Sequence, residues 1–210
     1  GDVSCNKKNG VVKLVFVDAI GGIFLNRPMK KPKIGINGFG RIGRIAARII
    51  LNRPNLELVA INSRADVSSH AYLLKYDSTY GILPNKISAS ENSLTIDKQK
   101  ILALNCDTPA EIPWEKAGVD IVIDSTGKFR KAEELKGHLQ RKVKYVAISA
   151  PAKDATKTII LGLNQNTFNP KADFIVSNSS CTTNCLVTTL KVLNDSFRVL
   201  GGFMTTVHSV

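Results

Sequence analysis

A glycine triplet lies between a predicted strand and a predicted helix, and few folds accommodate it there. Gly38, Gly40 and Gly43 fit the pattern G-x-G-x-x-G, after the apolar run Lys33–Asn37. They open Arg41–Leu51, whose apolar residues have helical spacing. In that context the glycines allow a tight turn, close approach of a pyrophosphate, and close packing of helix on sheet. The pattern predicts dinucleotide binding at a helix N-terminus; the alternative is a glycine-rich turn without a ligand.

Apolar strands and helical segments alternate through the rest of the chain. Predicted strands are Leu56–Ile61, Asp120–Asp124, Lys144–Ser149, Thr158–Leu161, Phe174–Val176 and Phe203–His208, and predicted helices are Val67–Leu74, Lys131–Leu139 and Thr183–Leu193. A turn-rich section with short strands runs from Asp77 to Pro113. The alternation predicts an α/β fold: a Rossmann-type, mostly parallel sheet with both faces covered. Residues 1–31 do not fit this pattern and are interpreted as an N-terminal extension, the natural domain starting near Met29.

The predicted second strand is followed by Asn62-Ser63-Arg64. A carboxylate at this tip would bind the ribose 2′-hydroxyl of NAD, but none is present. Ser63 can hydrogen-bond a ribose hydroxyl, and Arg64 can meet a 2′-phosphate. Asp66 is interpreted as part of the next element. The hypothesis is that the cofactor is NAD or NADP, with dual or NADP-leaning use.

The chain is basic, with 29 Lys and Arg against 17 Asp and Glu and a net charge of +12. That balance suits phosphates and dinucleotides, although a solvated basic surface explains it as well. Lys and Arg are scattered, so nucleic acid is not expected as the main partner. The apolar run Val11–Phe24 contains Lys13 and Asp18 and is too short and too charged to span a membrane.

The four cysteines are Cys5, Cys106, Cys181 and Cys185. Their scatter predicts free thiols in a reducing compartment, which favours the cytoplasm. No histidine lies near Cys181 and Cys185 in the sequence, so no metal site is predicted.

Cys181 lies where polar, helix-capping residues give way to the apolar helix Thr183–Leu193. The dipole and free N–H groups of a helix start stabilise a thiolate, which makes Cys181 a candidate nucleophile. A buried structural cysteine is the alternative, and this is the interpretation for Cys185, one turn further on. His208 ends the predicted return strand, where it could approach Cys181 as a general base; a structural histidine is the alternative.

Six segments occur together in one order and resemble the motifs of the glyceraldehyde-3-phosphate dehydrogenase family. They are Ile36–Arg44, Lys75–Gly81, Asp124–Gly127, Ile148–Pro151, Ser179–Cys185 and Thr205–His208. The resemblance runs from about Lys33 to the end of the chain. It implies a dinucleotide-binding domain over 32–179 and the truncated start of an α+β catalytic domain over 180–210.

The resemblance also implies a function and a set of roles. The family oxidises glyceraldehyde 3-phosphate with inorganic phosphate through a cysteine thioester, using NAD or NADP, and the complete enzyme is normally a homotetramer. Cys181 matches the nucleophile and His208 the residue that activates it. Ser180 and Thr182 match phosphate-binding positions. The cofactor positions matched are Gly38, Gly40, Arg41, Ile42, Gly43, Ser63, Ser125, Thr126, Gly127 and Ser149.

Some positions depart from the family pattern. Ser63 stands where NAD-using members usually have Asp, and Cys106–Pro109 lacks an Arg that often contacts the adenine side. The family's catalytic domain continues well past the position of His208, so the 210 residues alone are expected to have little dehydrogenase activity. Erythrose-4-phosphate dehydrogenase shares these motifs and is the rival enzyme. An inactive dinucleotide-binding or RNA-binding fragment is the rival of another class.

Overall fold

The computed structural model describes residues 31–140 and 142–208. Nearly all of the predicted N-terminal extension, with Met29, lies outside the described residues. The strands are β1 (Lys33–Asn37), β2 (Glu57–Asn62), β3 (Tyr76–Asp77), β4 (Gly81–Ile82), β5 (Ile87–Ser90), β6 (Ser93–Ile96), β7 (Gln99–Leu104), β8 (Ile121–Asp124), β9 (Tyr145–Ile148), β10 (Lys157–Thr158) and β11 (Ile175–Ser177). The α-helices are α1 (Arg41–Leu51), α2 (Val67–Lys75), α3 (Ala132–Leu135) and α4 (Cys181–Phe197). Across the described ranges, every helix is too short or too polar to form a membrane span.

Nine strands form one sheet in the order β10-β11-β9-β8-β1-β2-β7-β6-β5. Every pairing from β10 to β7 is parallel, whereas β6 pairs antiparallel with both β7 and β5. In chain order, the strands of this sheet from β2 to β7 lie on one side of β1, and the strands from β8 onward lie on the other side. Such a reversal marks the crevice where open α/β sheets bind ligands. The predicted Rossmann-type, mostly parallel sheet is confirmed.

Apolar layers cover both faces of the central strands. Ile121 and Ile123 of β8 join the layer that contains Ile50 of α1, whereas Val122 joins the layer that contains Trp114. Successive side chains of a strand point to opposite faces, so a strand buried on both sides is apolar throughout. This double burial fixes the strands and therefore the positions of the loops that leave them.

Two predicted elements are shorter in the structure. The predicted helix Lys131–Leu139 is α3, with four residues, followed by the 3-10 turn Lys136–His138. The predicted strand Thr158–Leu161 overlaps β10 only at Thr158, because β10 ends there. The proposed division of the chain between residues 179 and 180 stays a prediction.

The predicted final strand Phe203–His208 is wrong. Residues 198–208 have no regular secondary structure, and Phe203 and Val207 are exposed. A strand needs a neighbour to satisfy its backbone N–H and C=O groups. Among the described residues, no strand pairs with this segment, so its apolar pattern alone does not produce a strand.

The imidazole ring of His70, on α2, is buried without hydrogen-bond partners in the part of the chain that the structure describes. His70 is 5% exposed and packs edge-on against Phe39, with ring centroids 5.3 Å apart. Neither ring nitrogen has a partner among the described residues. Desolvation lowers the pKa of His70 from its ordinary value of 6.5, and the charge of Arg44 lowers it further, against an opposing effect of Asp66. The folded chain therefore keeps this imidazole neutral where the unfolded chain would protonate it.

We expect acidification below pH 6.5 to destabilise the fold through His70. The imidazole of His70 becomes protonated in the unfolded chain but stays neutral in the folded chain. The free energy of unfolding therefore falls by up to about 1.4 kcal/mol per pH unit as the pH is lowered. His70→Leu should reduce this slope and raise the unfolding free energy at neutral pH by about 1–2 kcal/mol. Urea unfolding of both proteins at pH 5.5 and 7.5 measures the effect. Equal acid sensitivity of the two proteins would contradict it.

Candidate functional site

Three parallel strands end in polar residues at one edge of the sheet. Asn37 of β1 is in register with Asn62 of β2 and with Asp124 of β8, and all three are buried. The Asn37 amide donates to Asp124 Oδ2 over 2.8 Å, and the Asn62 amide donates to Asn37 Oδ1 over 2.8 Å. Asn62 also exchanges hydrogen bonds with the backbone of Cys106. These bonds fix the loops that follow the strands relative to one another.

The fold itself requires Gly38 and Gly43. Gly38 has φ +87°, and a Cβ there would lie 2.7 Å from the backbone nitrogen of Thr126. A Cβ on Gly43 would lie 2.1 Å from the Gly38 carbonyl oxygen and 2.9 Å from Ser125 Oγ. The turn after β1, the start of α1 and the loop after β8 therefore pack without room for a side chain.

Gly40 differs from Gly38 and Gly43 because there is open space where a Cβ would lie. A Cβ there would meet no atom within 4 Å, although Gly40 is the N-cap of α1. The first turn of α1 has no acidic residue, and Arg41 and Ile42 are exposed. The first N–H groups of a helix lack intrahelical partners and favour an anion. An open approach to these groups fits the pyrophosphate of a dinucleotide.

The predicted nicotinamide-side residues converge on the same edge. Ser125 donates from Oγ to the Gly38 carbonyl over 2.6 Å, and Thr126 donates from its amide and hydroxyl to Asp124 Oδ1. Gly127 follows with φ +67°. The Ser149 amide donates to the Asp124 carbonyl oxygen over 2.9 Å. The structure thus packs Ser125 and Thr126 against the glycine turn and joins Ser149 to the end of β8.

Ser63 leaves β2 half-buried, with its amide donating to the Leu104 carbonyl oxygen over 3.0 Å. Arg64 is exposed. Asp66 caps α2 by accepting the Ser69 amide over 2.8 Å and also accepts the Ser68 hydroxyl, which lowers the pKa of Asp66. This carboxylate is engaged in the cap, as the sequence indicates, so the tip of β2 presents a hydroxyl and a guanidinium.

Cys181 is the first residue of α4 and is exposed. Ser180 is the N-cap, its hydroxyl accepting the Thr183 amide over 3.0 Å, and Thr182 Oγ1 lies 3.9 Å from Cys181 Sγ. The buried amide of Asn184 donates to the carbonyl oxygens of Asn178 and Ser180 over 2.7 and 2.9 Å. The alternative of a buried structural Cys181 is therefore wrong.

Sequence reasoning missed two residues that shape this turn. Asn184 looks like an ordinary polar helix residue, and only its contacts show that it ties the helix start to the preceding loop. Ser179 is buried with φ +63°, a conformation that costs a non-glycine residue about 1 kcal/mol or more. Its amide donates to Ser177 Oγ over 3.0 Å. A run of polar residues before an apolar helix is the only sequence sign of this arrangement.

The interpretation of Cys185 as a core thiol is wrong, because Cys185 is exposed. Asn184 is the only buried residue of α4 in the described structure, so position on the helix does not make Cys185 part of a core. Cys106 is half-buried, and burial, with the nearby Glu111 and Asp107, raises the pKa of its thiol. Of the described cysteines, all free, Cys181 alone begins a helix.

The structure does not join His208 to Cys181. His208 is exposed, and Nε2 lies 3.0 Å from Thr206 Oγ1. Among the described residues, no hydrogen bond connects the imidazole with the sulfur. The predicted approach depended on a return strand at Phe203–His208, and that strand is absent from the described structure.

Two family models match the chain. The NAD binding domain of glyceraldehyde 3-phosphate dehydrogenase matches residues 32–132, and the C-terminal domain of the same family matches residues 180–210. Together these matches cover more than half of the 210 residues.

Curated relatives agree with the family matches. Glyceraldehyde-3-phosphate dehydrogenase 1 of Trichormus variabilis is 48% identical over 184 residues, covering 87% of this chain and 54% of the relative. The Geobacillus stearothermophilus glyceraldehyde-3-phosphate dehydrogenase is 47% identical over 177 residues, covering 84% and 53%. Glyceraldehyde-3-phosphate dehydrogenase 1 of Globodera rostochiensis is 44% identical over 188 residues, covering 87% and 58%. The chain spans a little over half the length of these relatives.

Proposed function

Because the chain belongs to the glyceraldehyde-3-phosphate dehydrogenase family, we propose that it is part of an enzyme that oxidises glyceraldehyde 3-phosphate with inorganic phosphate. NAD, when bound, supplies the hydride acceptor. The observation that carries the proposal is the exposed Cys181 at the start of α4, which follows β11. β11, β9, β8 and β1 are adjacent and parallel, so their carboxyl ends share one edge. Cys181 therefore lies on the same edge as the glycine turn.

In the proposed mechanism, the Cys181 sulfur attacks the aldehyde carbon and forms a thiohemiacetal. Oxidation leaves an acyl thioester on Cys181. An oxygen of inorganic phosphate then attacks the carbonyl carbon of the thioester, and the C–S bond breaks. This step releases 1,3-bisphosphoglycerate and regenerates the Cys181 thiolate. Ser180 and Thr182, which flank the sulfur in sequence, are proposed to hold the phosphate groups.

Cofactor contacts are proposed for the residues around the glycine turn. Gly40, Arg41 and Ile42 offer the open helix start to the pyrophosphate, while Gly38 and Gly43 shape that turn. Ser125, Thr126, Gly127 and Ser149 are proposed to line the nicotinamide side, and Ser63 the ribose.

His208 is proposed as the base that takes the thiol proton and assists oxidation. The proposal is supported by the family match over residues 180–210 and by the exposure of the imidazole. It requires residues 198–208 to pack differently from the arrangement described, because the present contact of the ring is with Thr206.

We expect Ser63→Asp to shift cofactor preference toward NAD. Ser63 and Arg64 at the β2 tip support dual or NADP-leaning use, since neither repels a 2′-phosphate. A carboxylate at position 63 would accept the ribose 2′-hydroxyl and repel the phosphate, weakening NADP binding by about tenfold or more. Calorimetric titration of both cofactors measures this, with Ser63→Ala as the matched control. A strong native preference for NAD would overturn the dual-use proposal.

The enzyme itself is tested with the protein purified from its source cells. We expect NAD reduction that requires both glyceraldehyde 3-phosphate and inorganic phosphate. Faster turnover of erythrose 4-phosphate would assign the rival activity, and cofactor binding without turnover of either aldehyde would refute the dehydrogenase. We further propose a homotetramer in the cytoplasm, a compartment that suits the free thiols; sedimentation and cell fractionation test these two points.

A further inference from the structure

A row of buried hydrogen bonds connects the interior with the loop after β8. The Trp114 indole donates to His138 Nδ1 over 3.0 Å, and His138 Nε2 lies 3.1 Å from Asp124 Oδ2. Asp124 Oδ1 accepts the Thr126 amide over 3.0 Å and the Thr126 hydroxyl over 2.7 Å. Trp114, His138 and Asp124 are each at most 1% exposed. These four residues are called the Asp124 row.

The donors in the row fix the state of the imidazole. An indole N–H can only donate, so His138 Nδ1 must accept, and the ring proton sits on Nε2 and points at Asp124. A proton on Nδ1 would set two N–H groups against each other. The contact between His138 and Asp124 is thus a hydrogen bond from a neutral ring rather than an ion pair. Gly35 leaves the space that holds the indole, since a Cβ there would lie 2.7 Å from its ring.

Asp124 is held by neutral donors on both oxygens. Asn37 and His138 donate to Oδ2, and Thr126 donates twice to Oδ1. Four donors satisfy a carboxylate in a buried site, where an unmade hydrogen bond is costly. Loss of the His138 donor would leave Asp124 under-satisfied, and the carboxylate would turn away from the arrangement that holds Thr126.

The loop that Asp124 holds is the one that supports the glycine turn. The Thr126 backbone nitrogen lies 2.7 Å from where a Gly38 Cβ would be, and Ser125 donates to the Gly38 carbonyl oxygen. A shift of this loop would therefore change the shape of the turn. Neither Trp114 nor His138 has a role in the proposed chemistry.

We infer that His138 and Trp114 are positioning residues for cofactor binding, acting through Asp124 on the loop at residues 125–127. The inference rests on the proposed NAD-dependent function. It also predicts that the fluorescence of Trp114, the single tryptophan of the chain, changes when the cofactor binds at that loop.

The test compares His138→Leu with His138→Gln in the full chain. Leucine removes both ring contacts, whereas the glutamine amide can restore one acceptor and one donor. For His138→Leu we expect NAD to bind about tenfold or more weakly and the Thr126 amide to exchange hydrogen about tenfold or more faster without cofactor. His138→Gln should stay within about threefold of wild type in both. NAD should change Trp114 emission in wild type and His138→Gln but not in His138→Leu.

Thermal unfolding establishes that each variant is folded. If His138→Leu does not fold, Trp114→Phe keeps an aromatic ring in the buried site and removes the N–H donor, and a weaker loss of affinity in the same direction is expected. If a folded variant shows unchanged hydrogen exchange of the Thr126 amide and unchanged NAD affinity, this inference is overturned but the proposed function is not. Faster Thr126 exchange, in a chain whose wild type does not bind NAD, would support the positioning of the loop and refute the proposed function.

Discussion

In the complete enzyme proposed above, replacing Cys181 with serine is expected to reduce phosphate-dependent oxidation of glyceraldehyde 3-phosphate by at least about ten-thousand-fold. A serine hydroxyl is a much weaker nucleophile than the cysteine sulfur, so the covalent intermediates that replace the thiohemiacetal and the thioester should hardly form. NAD binding should be unchanged, because the glycine turn and the loop at residues 125–127 do not use the sulfur. Steady-state turnover and calorimetric titration of NAD measure the two effects.

Cys185→Ser is the matched control, because Cys185 is also exposed but lies one turn inside α4. We expect it to keep kcat and KM within about twofold of wild type. Trapping of the acyl group followed by mass spectrometry should find it on Cys181 alone. Turnover by Cys181→Ser comparable with wild type, or acylation of Cys185, would refute the assigned nucleophile.

The second large effect is expected from alanine at Gly43. The added Cβ would lie 2.1 Å from the Gly38 carbonyl oxygen, a backbone atom held by the turn, so the start of α1 must move away from the sheet. Overpacking of this kind should lower the free energy of unfolding by about 3 kcal/mol. This loss should outweigh the higher intrinsic helix propensity of alanine compared with glycine. Urea unfolding monitored by circular dichroism measures the loss.

Gly40→Ala separates the fold from the cofactor site. Its Cβ would enter open space, so the free energy of unfolding should change by less than about 1 kcal/mol. The same Cβ would occupy the approach to the helix N-terminus, and NAD should bind about tenfold or more weakly. Equal stability of the two glycine variants, or unchanged NAD affinity in Gly40→Ala, would contradict the roles given to these glycines.

The hydrogen-bond partners of Asp124, both at the sheet edge and in the Asp124 row, could not be predicted from the sequence. Asn37 and Asp124 are 87 residues apart in the chain and meet only because β1 and β8 pair in a fixed register. Trp114 and His138 lie on 3-10 turns whose positions depend on the packing of one apolar layer. No local spacing encodes such contacts, so the partners of Asp124 emerge only with the sheet assembled.

Local sequence is sufficient to predict the strand, glycine turn and helix at residues 33–51, the lack of a carboxylate after β2, and the position of Cys181 at a helix start. These features depend on neighbours within a few residues, through hydrophobic spacing, backbone freedom of glycine and helix capping. The exposure of Cys185, the irregular backbone at residues 198–208 and the buried Asp124 row depend on tertiary packing. Burial and strand pairing depend on which distant segments pack together, and that is a property of the assembled fold.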